Sequence, residues 1–340
     1  MILLVASMIA IFGAAVRESQ MEAGAATTPA LRRRGRIAMA VTTAALVVIL
    51  FLGKWWDAEA SGRANLMMYK APPIEVSLQN GNTIVLKMGF SSWHDLRKQM
   101  LLNKIISDHG HLHLFLIQTP DFSHFYHLHP DQTCPDTFSE EMPSVTAGNY
   151  ALFADIVRES GFPDTMTTRV TLPDVAGRPP AGDDSAATVT LVTDASGPGT
   201  IATFPGGSRW EWVLDDGAIH ARQPILLRFR VFDKDGKLAR DLEPYMGMAG
   251  HLVLVERDLT VFAHLHPAGS APMAALMLLE KQTIGRSEAA SAMPGMHVTP
   301  APSEITFPYG FPQPGDYRLF VQIKRNGQVE TGVFDAHVEP

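Results

Sequence analysis

The sequence predicts an all-β protein, two tandem antiparallel β-sandwiches behind an N-terminal membrane span. Three observations carry that expectation. An uncharged apolar run at 37–53 follows the basic stretch LRRRGR at 31–36. From Ala71 onward, short alternating or β-branched runs are cut by Gly, Pro, Asn and Asp, the texture of half-buried strands joined by turns. A histidine-rich pattern also recurs, as GHLHLFLIQTPDFSHFYHLHP from Gly110 to Pro130 and GHLVLVERDLTVFAHLHP from Gly250 to Pro267.

The 340 residues suit two or three domains at roughly 100–200 residues each. A composition 46% hydrophobic and 19% charged supplies a core and excludes a disordered chain. A net charge of −7 offers no basic surplus for a phosphate backbone, so no nucleic-acid partner is expected. Cys134 is the sole cysteine, so no intrachain disulfide can form and stability must come from packing or from metal.

In chain order, 1–56 forms the membrane anchor. The seventeen residues 37–53 reach the lower limit of a span, roughly 17–25 residues, and Trp55 and Trp56 follow where a headgroup belt would lie. Keeping the arginines inside places everything after residue 56 outside the cytoplasm. The apolar stretch 1–16 either makes a hairpin with 37–53 or precedes a start at Met21; Ala58-Glu59-Ala60 fits a cleavage site, but the long apolar run and the Trp pair favour an uncleaved anchor.

The first sandwich is expected over 66–175, from the strand-like runs IEVSL, TIVLKM, HLHLFLI, YALFADI and RVTL, with one short helix over 93–106. Residues 176–195 read as a linker, because the Pro, Gly and Asp of PDVAGRPPAGDDS at 173–185 break regular structure. The second sandwich follows over 196–340, with ILLRFRVF, HLVLV, YRLFVQI and VFDAHV, and carries a Met-rich insertion at 268–303. In each half a Gly and a Tyr introduce matching strands, AGNYALFADI at 147–156 and PGDYRLFVQI at 314–323.

Thirteen His are present, and six of them fall between 109 and 129. Strand side chains alternate, so His127 and His129 share a face, as do His264 and His266. A hairpin turning at 119–122 would set His111 opposite His129 and His113 opposite His127. In the second copy His251 would face His266, and Val253 would face His264. Neutral imidazole offers a nitrogen to zinc, copper, iron or nickel, and three imidazoles leave an open position. Candidate metal ligands are therefore His111, His113, His127 and His129 in one half, and His251, His264 and His266 with Met246 or Met248 in the other. Thioether sulfur suits Cu(I), and Met293 and Met296 in the insertion add to it, so copper is the expected metal, with zinc the alternative. No phosphate-cradling loop, nucleophile elbow or paired-Cys motif occurs. Asp108, Asp121, Asp131 and Asp258 neighbour the ribbons as candidate partners of the imidazoles.

The segments Asp233-Lys-Asp-Gly-Lys-Leu, Leu242-Glu-Pro-Tyr-Met-Gly-Met-Ala-Gly-His251, His264-Leu-His-Pro267 and Pro314-Gly-Asp-Tyr317 resemble the immunoglobulin-like sandwiches of the YtkA/FixH-like kind, found in bacterial envelope proteins. The resemblance is clearest over 220–340. It implies a small antiparallel sandwich and membrane-anchored handling of metal or copper; with the internal repeat and the orientation of the anchor, the expectation is two tandem immunoglobulin-like sandwiches at the bacterial inner membrane on the periplasmic side. The first half has no Pro-Tyr-Met-Gly-Met stretch, so a methionine site does not carry over to it. The functional expectation is a membrane-anchored copper chaperone, storage or resistance factor with one site per domain. The alternatives are a metal-dependent enzyme on three His, or a structural module docking onto a membrane-protein partner.

Overall fold

A computed structural model describes residues 11–15, 18, 28–67, 71–89, 112–134, 136–157, 163–189, 201–203, 207–214, 218–270 and 301–340. The chain divides into an N-terminal unit, Met1–Lys70, and a compact unit, Ala71–Pro340.

The N-terminal unit carries helix α1, Pro29–Met67. Its segment Arg32–Ala60 is long and apolar enough to cross a membrane, and its apolar side chains, Trp55 and Trp56 included, are exposed. Thr42 returns its hydroxyl to the Ala38 carbonyl at 2.9 Å, which satisfies that polar group within the helix. Of the earlier apolar stretch, 11–15 are helical, and 1–10 lie outside the described residues.

The second unit is built of sheets that are antiparallel apart from one short parallel pairing of Ile219–His220 with Val338–Glu339, as the alternating patterns require. Its first half comprises β1 (Ile74–Gln79), β2 (Thr83–Met88), β3 (His113–Thr119), β4 (His124–Leu128), β5 (Asp131–Cys134), β6 (Thr137–Glu141), β7 (Gly148–Val157), β8 (Pro163–Leu172) and β9 (Ser185–Thr188). They form one sheet in the order β1-β2-β6-β5 and a second in the order β8-β7-β3-β4-β9. The second half comprises β10 (Ile201–Thr203), β11 (Arg209–Val213), β12 (Ile219–His220), β13 (Pro224–Phe232), β14 (Leu242–Glu243), β15 (His251–Glu256), β16 (Phe262–Leu265), β17 (Glu304–Gly310), β18 (Gly315–Arg325) and β19 (Gln328–Glu339). Its sheets run β10-β11-β13-β17 and β12-β19-β18-β15-β16, with β14 alongside β18.

Each half has its own interior. Leu86, Leu114, Leu116, Phe138 and Leu152 fill the first, and Trp210, Phe229, Leu252, Leu254 and Leu319 the second. Turn chemistry fixes hairpin register: Asn326 and Gly327 sit at φ 51° and 73° between Arg325 and Gln328, the two-residue turn in which both central residues need positive φ. The matching Gly-x-Tyr strands serve one purpose in both halves. Tyr150 donates its hydroxyl to the Thr146 carbonyl at 2.6 Å, and Tyr317 donates to Gln313 at 2.8 Å, the tyrosine corner of immunoglobulin-like sandwiches.

The stretch expected as a linker is partly structured. Ser185–Thr188 add to the first half's sheet beside β4, because this edge still offers unpaired backbone groups. The helix expected over 93–106 and most of the 268–303 insertion lie outside the described residues.

A third cluster joins the halves. Phe115, Ile117, Phe122, Phe125, Ala151 and Phe153 of the first pack against Val253, Val255 and Phe320 of the second. Phe125 and Phe320 stack at 4.2 Å between ring centroids, as do Phe153 and Phe262 at 4.1 Å. β3 and β15 are therefore buried on both faces: their leucines point into their own sandwich, and their alternate residues point at the other half. At one side Arg318, 1% exposed, binds Asp335 at 2.8 Å and donates to the Phe122 carbonyl across the interface at 3.1 Å.

Candidate metal centre

Continuing β3 outward past Phe115, the next residue facing the other half is His113. Continuing β15 outward past Val253, it is His251. In the second half the register is Val253 opposite His264, and the same ladder carries on to set His251 across from His266, as the sequence predicts. In the first half the register differs by two residues from the expectation. Phe115, not His113, lies opposite His127, and the Leu112 amide to Pro130 carbonyl bond continues that ladder so that His113 falls across from His129. The cause is a turn centred one residue later than expected, where Phe122 is held at φ 58° with its ring fully buried between the halves. His111 lies outside the described residues.

The two hairpins thus present equivalent triads, His113/His127/His129 and His251/His264/His266. In each, one ligand atom from every residue lies within 4.8 Å of the others. The two triads lie side by side, because the two faces that carry them are packed together. His113 approaches His264 at 4.8 Å and His251 at 6.0 Å between ring centroids, distances like the 5.2 Å within a triad between His251 and His264. One composite chamber of six imidazoles results, at the edge of the aromatic seam, with Phe115 stacked on His127 at 4.2 Å.

Polar partners orient the rings. Asp184 accepts from His129 Nδ1 at 2.9 Å, and Asp155 of the first half accepts from His264 Nδ1 of the second at 3.1 Å. Gln322 of the second half accepts through Oε1 from His127 Nδ1 of the first at 2.8 Å. Those contacts turn the Nε2 atoms of His127, His129 and His264 inward. His127 Nε2 lies 3.0 Å from His113 Nδ1, whereas His129 Nε2, His264 Nε2, His266 Nε2 and both ring nitrogens of His251 are buried without a hydrogen-bond partner. Such groups are costly unless something binds them. Burial, followed by the crowding of neighbouring imidazoles, holds His113, His127 and His251 well below the usual histidine pKa, and lowers His266 to about 4. These rings are neutral near pH 7, the form that ligates metal.

Asp155, Asp184, Gln322 and Tyr245 were not among the residues singled out in the sequence. A signal for two of them exists: in YALFADI and YRLFVQI the residue five after the tyrosine is polar in an apolar strand, Asp155 in one and Gln322 in the other. Both are beside a triad's first histidine, His113 and His251 respectively, and both reach across to the opposite half. Tyr245 donates to the Asp183 carbonyl at 2.8 Å, its oxygen 3.1 Å from His127 Nδ1 and its ring 4.7 Å from that of His251. Met246 and Met248 occupy the turn that begins at Tyr245, with Met248 buried and Met246 half-buried. Asp121 instead caps the β3–β4 turn through Ser123.

Residues 206–340 match a family described as a domain of unknown function, DUF8832. No curated protein matches the sequence. Among solved structures, a bacterial ice-binding adhesin involved in host cell surface retention is 10% identical, with 80% of this chain and 66% of that one covered at a TM-score of 0.19. The FN1–FN3 domains of chicken CNTN1 are 6% identical, with 79% and 66% covered at 0.19. A putative membrane anchored protein from Corynebacterium diphtheriae is 9% identical, with 80% and 59% covered at 0.20. The chain thus spans about two thirds or less of each, and similarity of this size says nothing about function.

Proposed function

We propose that this chain is a membrane-anchored, extracytoplasmic metal-binding protein whose site is the imidazole chamber between its sandwiches. Copper is the metal of this reading and zinc the alternative. The observation that supports it is the set of buried nitrogens on His129, His251, His264 and His266 without hydrogen-bond partners, while Asp184 and Asp155 hold the opposite edges of His129 and His264. Carboxylate or amide support of this kind is how proteins orient metal-bound histidine. Without an ion, the same nitrogens would each lose the hydrogen bonds they make in water.

The depth of the site favours retention over rapid hand-over, so storage or resistance fits better than a transfer chaperone. Met246 and Met248, on the turn that bears Tyr245, and the Met-rich 268–303 segment would serve Cu(I) on its way in. The YtkA/FixH-like motifs over 220–340 agree with copper handling. The basic run at 31–36, in the first turns of α1, favours a bacterial inner membrane with the sandwiches on the periplasmic side. The docking alternative loses support because the His faces are engaged by each other. The enzyme alternative loses support because Asp155 and Asp184 are occupied as acceptors from imidazole.

The test is elemental analysis of the detergent-solubilised full chain after equilibration with Cu(I), Cu(II) or Zn(II) and exhaustive dialysis. The variants His127→Ala/His129→Ala and His264→Ala/His266→Ala are run beside it. The expected result is metal retained by the wild type and reduced in both variants. A wild type that retains none of the three ions overturns the reading.

A further inference from the structure

Resting on that reading, we infer that the chamber takes a pair of metal ions, one on each triad, rather than one ion shared between them. Six imidazoles exceed the four positions of a tetrahedral site. The nitrogens without a hydrogen-bond partner are on His129 of the first triad and on His251, His264 and His266 of the second, so both triads offer free donors. The donors sort themselves accordingly, into two sets of three that are each within 4.8 Å internally. Three imidazoles complete all but one position of a tetrahedral ion, so each triad is a finished half-site.

Charge is divided in the same way. The first triad has Asp184 on His129, and the second has Asp155 on His264, so each triad has one carboxylate to offset the charge of an ion bound there. Without those anions, two cations in one buried chamber would repel strongly. Asp155 comes from the opposite half, as does the Gln322 that orients His127, so each half-site is finished by the other half. His113 and His264 belong to different triads and their rings are 4.8 Å apart, so ions held on the two triads would be near neighbours.

The test loads the full chain in detergent with Cu(II) and compares copper by elemental analysis with copper by electron paramagnetic resonance. Two coppers per chain are expected, with a spin-coupled spectrum: a half-field transition, or an integrated signal less than half of the copper present. The variant His251→Ala/His264→Ala/His266→Ala is expected to hold one copper with full, uncoupled intensity. One copper per wild-type chain, or two with full uncoupled intensity, overturns the pair while leaving the metal-binding reading intact. No copper at all overturns the pair, and overturns the metal-binding reading as well when Cu(I) and Zn(II) are also not retained. The wild-type measurement decides the matter even where the variant fails to fold.

Discussion

Burying a histidine is tolerable only while it stays neutral, and that has a consequence for the metal-free protein. His266 titrates at about 4 in the folded state against 6.5 when exposed, and His113, His127 and His251 are shifted in the same direction. The unfolded chain therefore takes up protons first as pH falls. The stability these groups allow is fully present above pH 6.5 and is lost toward pH 4. For His266 alone this is on the order of 3 kcal/mol, at about 1.4 kcal/mol per tenfold change in proton affinity. Urea midpoints of the metal-free chain measured from pH 7.5 to pH 4.5 should fall steadily below about pH 6.5. A flat profile would mean that these rings are not buried. At this scale the sequence was readable where residue type carries the chemistry: His113, His127, His129, His251, His264 and His266 stand out by spacing. Tyr245 and Asp184 did not, because a lone Tyr or a loop Asp becomes a partner of imidazole only when two distant segments are brought together.

The strand is the unit that duplicates the site. β3 and β15 each alternate leucine with residues facing the other half, and β7 and β18 each place one polar residue beside the first histidine of a triad. Asp155 and Gln322 then act on the opposite half. Asp155→Asn keeps an oxygen for His264 Nδ1 but removes the charge that supports a cation. Metal affinity, measured by competition with a chelator, should fall about 10- to 100-fold. Unchanged affinity would assign Asp155 to the interface alone. Strand existence and the second hairpin's register could be read from pattern, since period-2 alternation and a short turn leave few choices. The first hairpin's register could not. It depends on where Phe122 lodges, and that is decided by the aromatic seam formed with the other half of the chain.

At the scale of the whole molecule, the two sandwiches have separate interiors and a shared third cluster, so the outer faces of two sheets become inner ones. That is why a chain with two repeats of a histidine ribbon holds one chamber and not two remote sites. Sequence pattern can show that HLHLFLI and HLVLV are apolar on both faces, but not which surface covers the second face. The same packing buries the chamber and keeps its imidazoles neutral. The account's central claim is that metal is held by imidazole nitrogen inside this chamber. X-ray absorption at the metal edge of the loaded full chain tests it most directly. A first shell of nitrogen at about 2.0 Å with the outer-shell scattering of several imidazoles is predicted. A shell dominated by oxygen or by sulfur, without imidazole scattering, would contradict it.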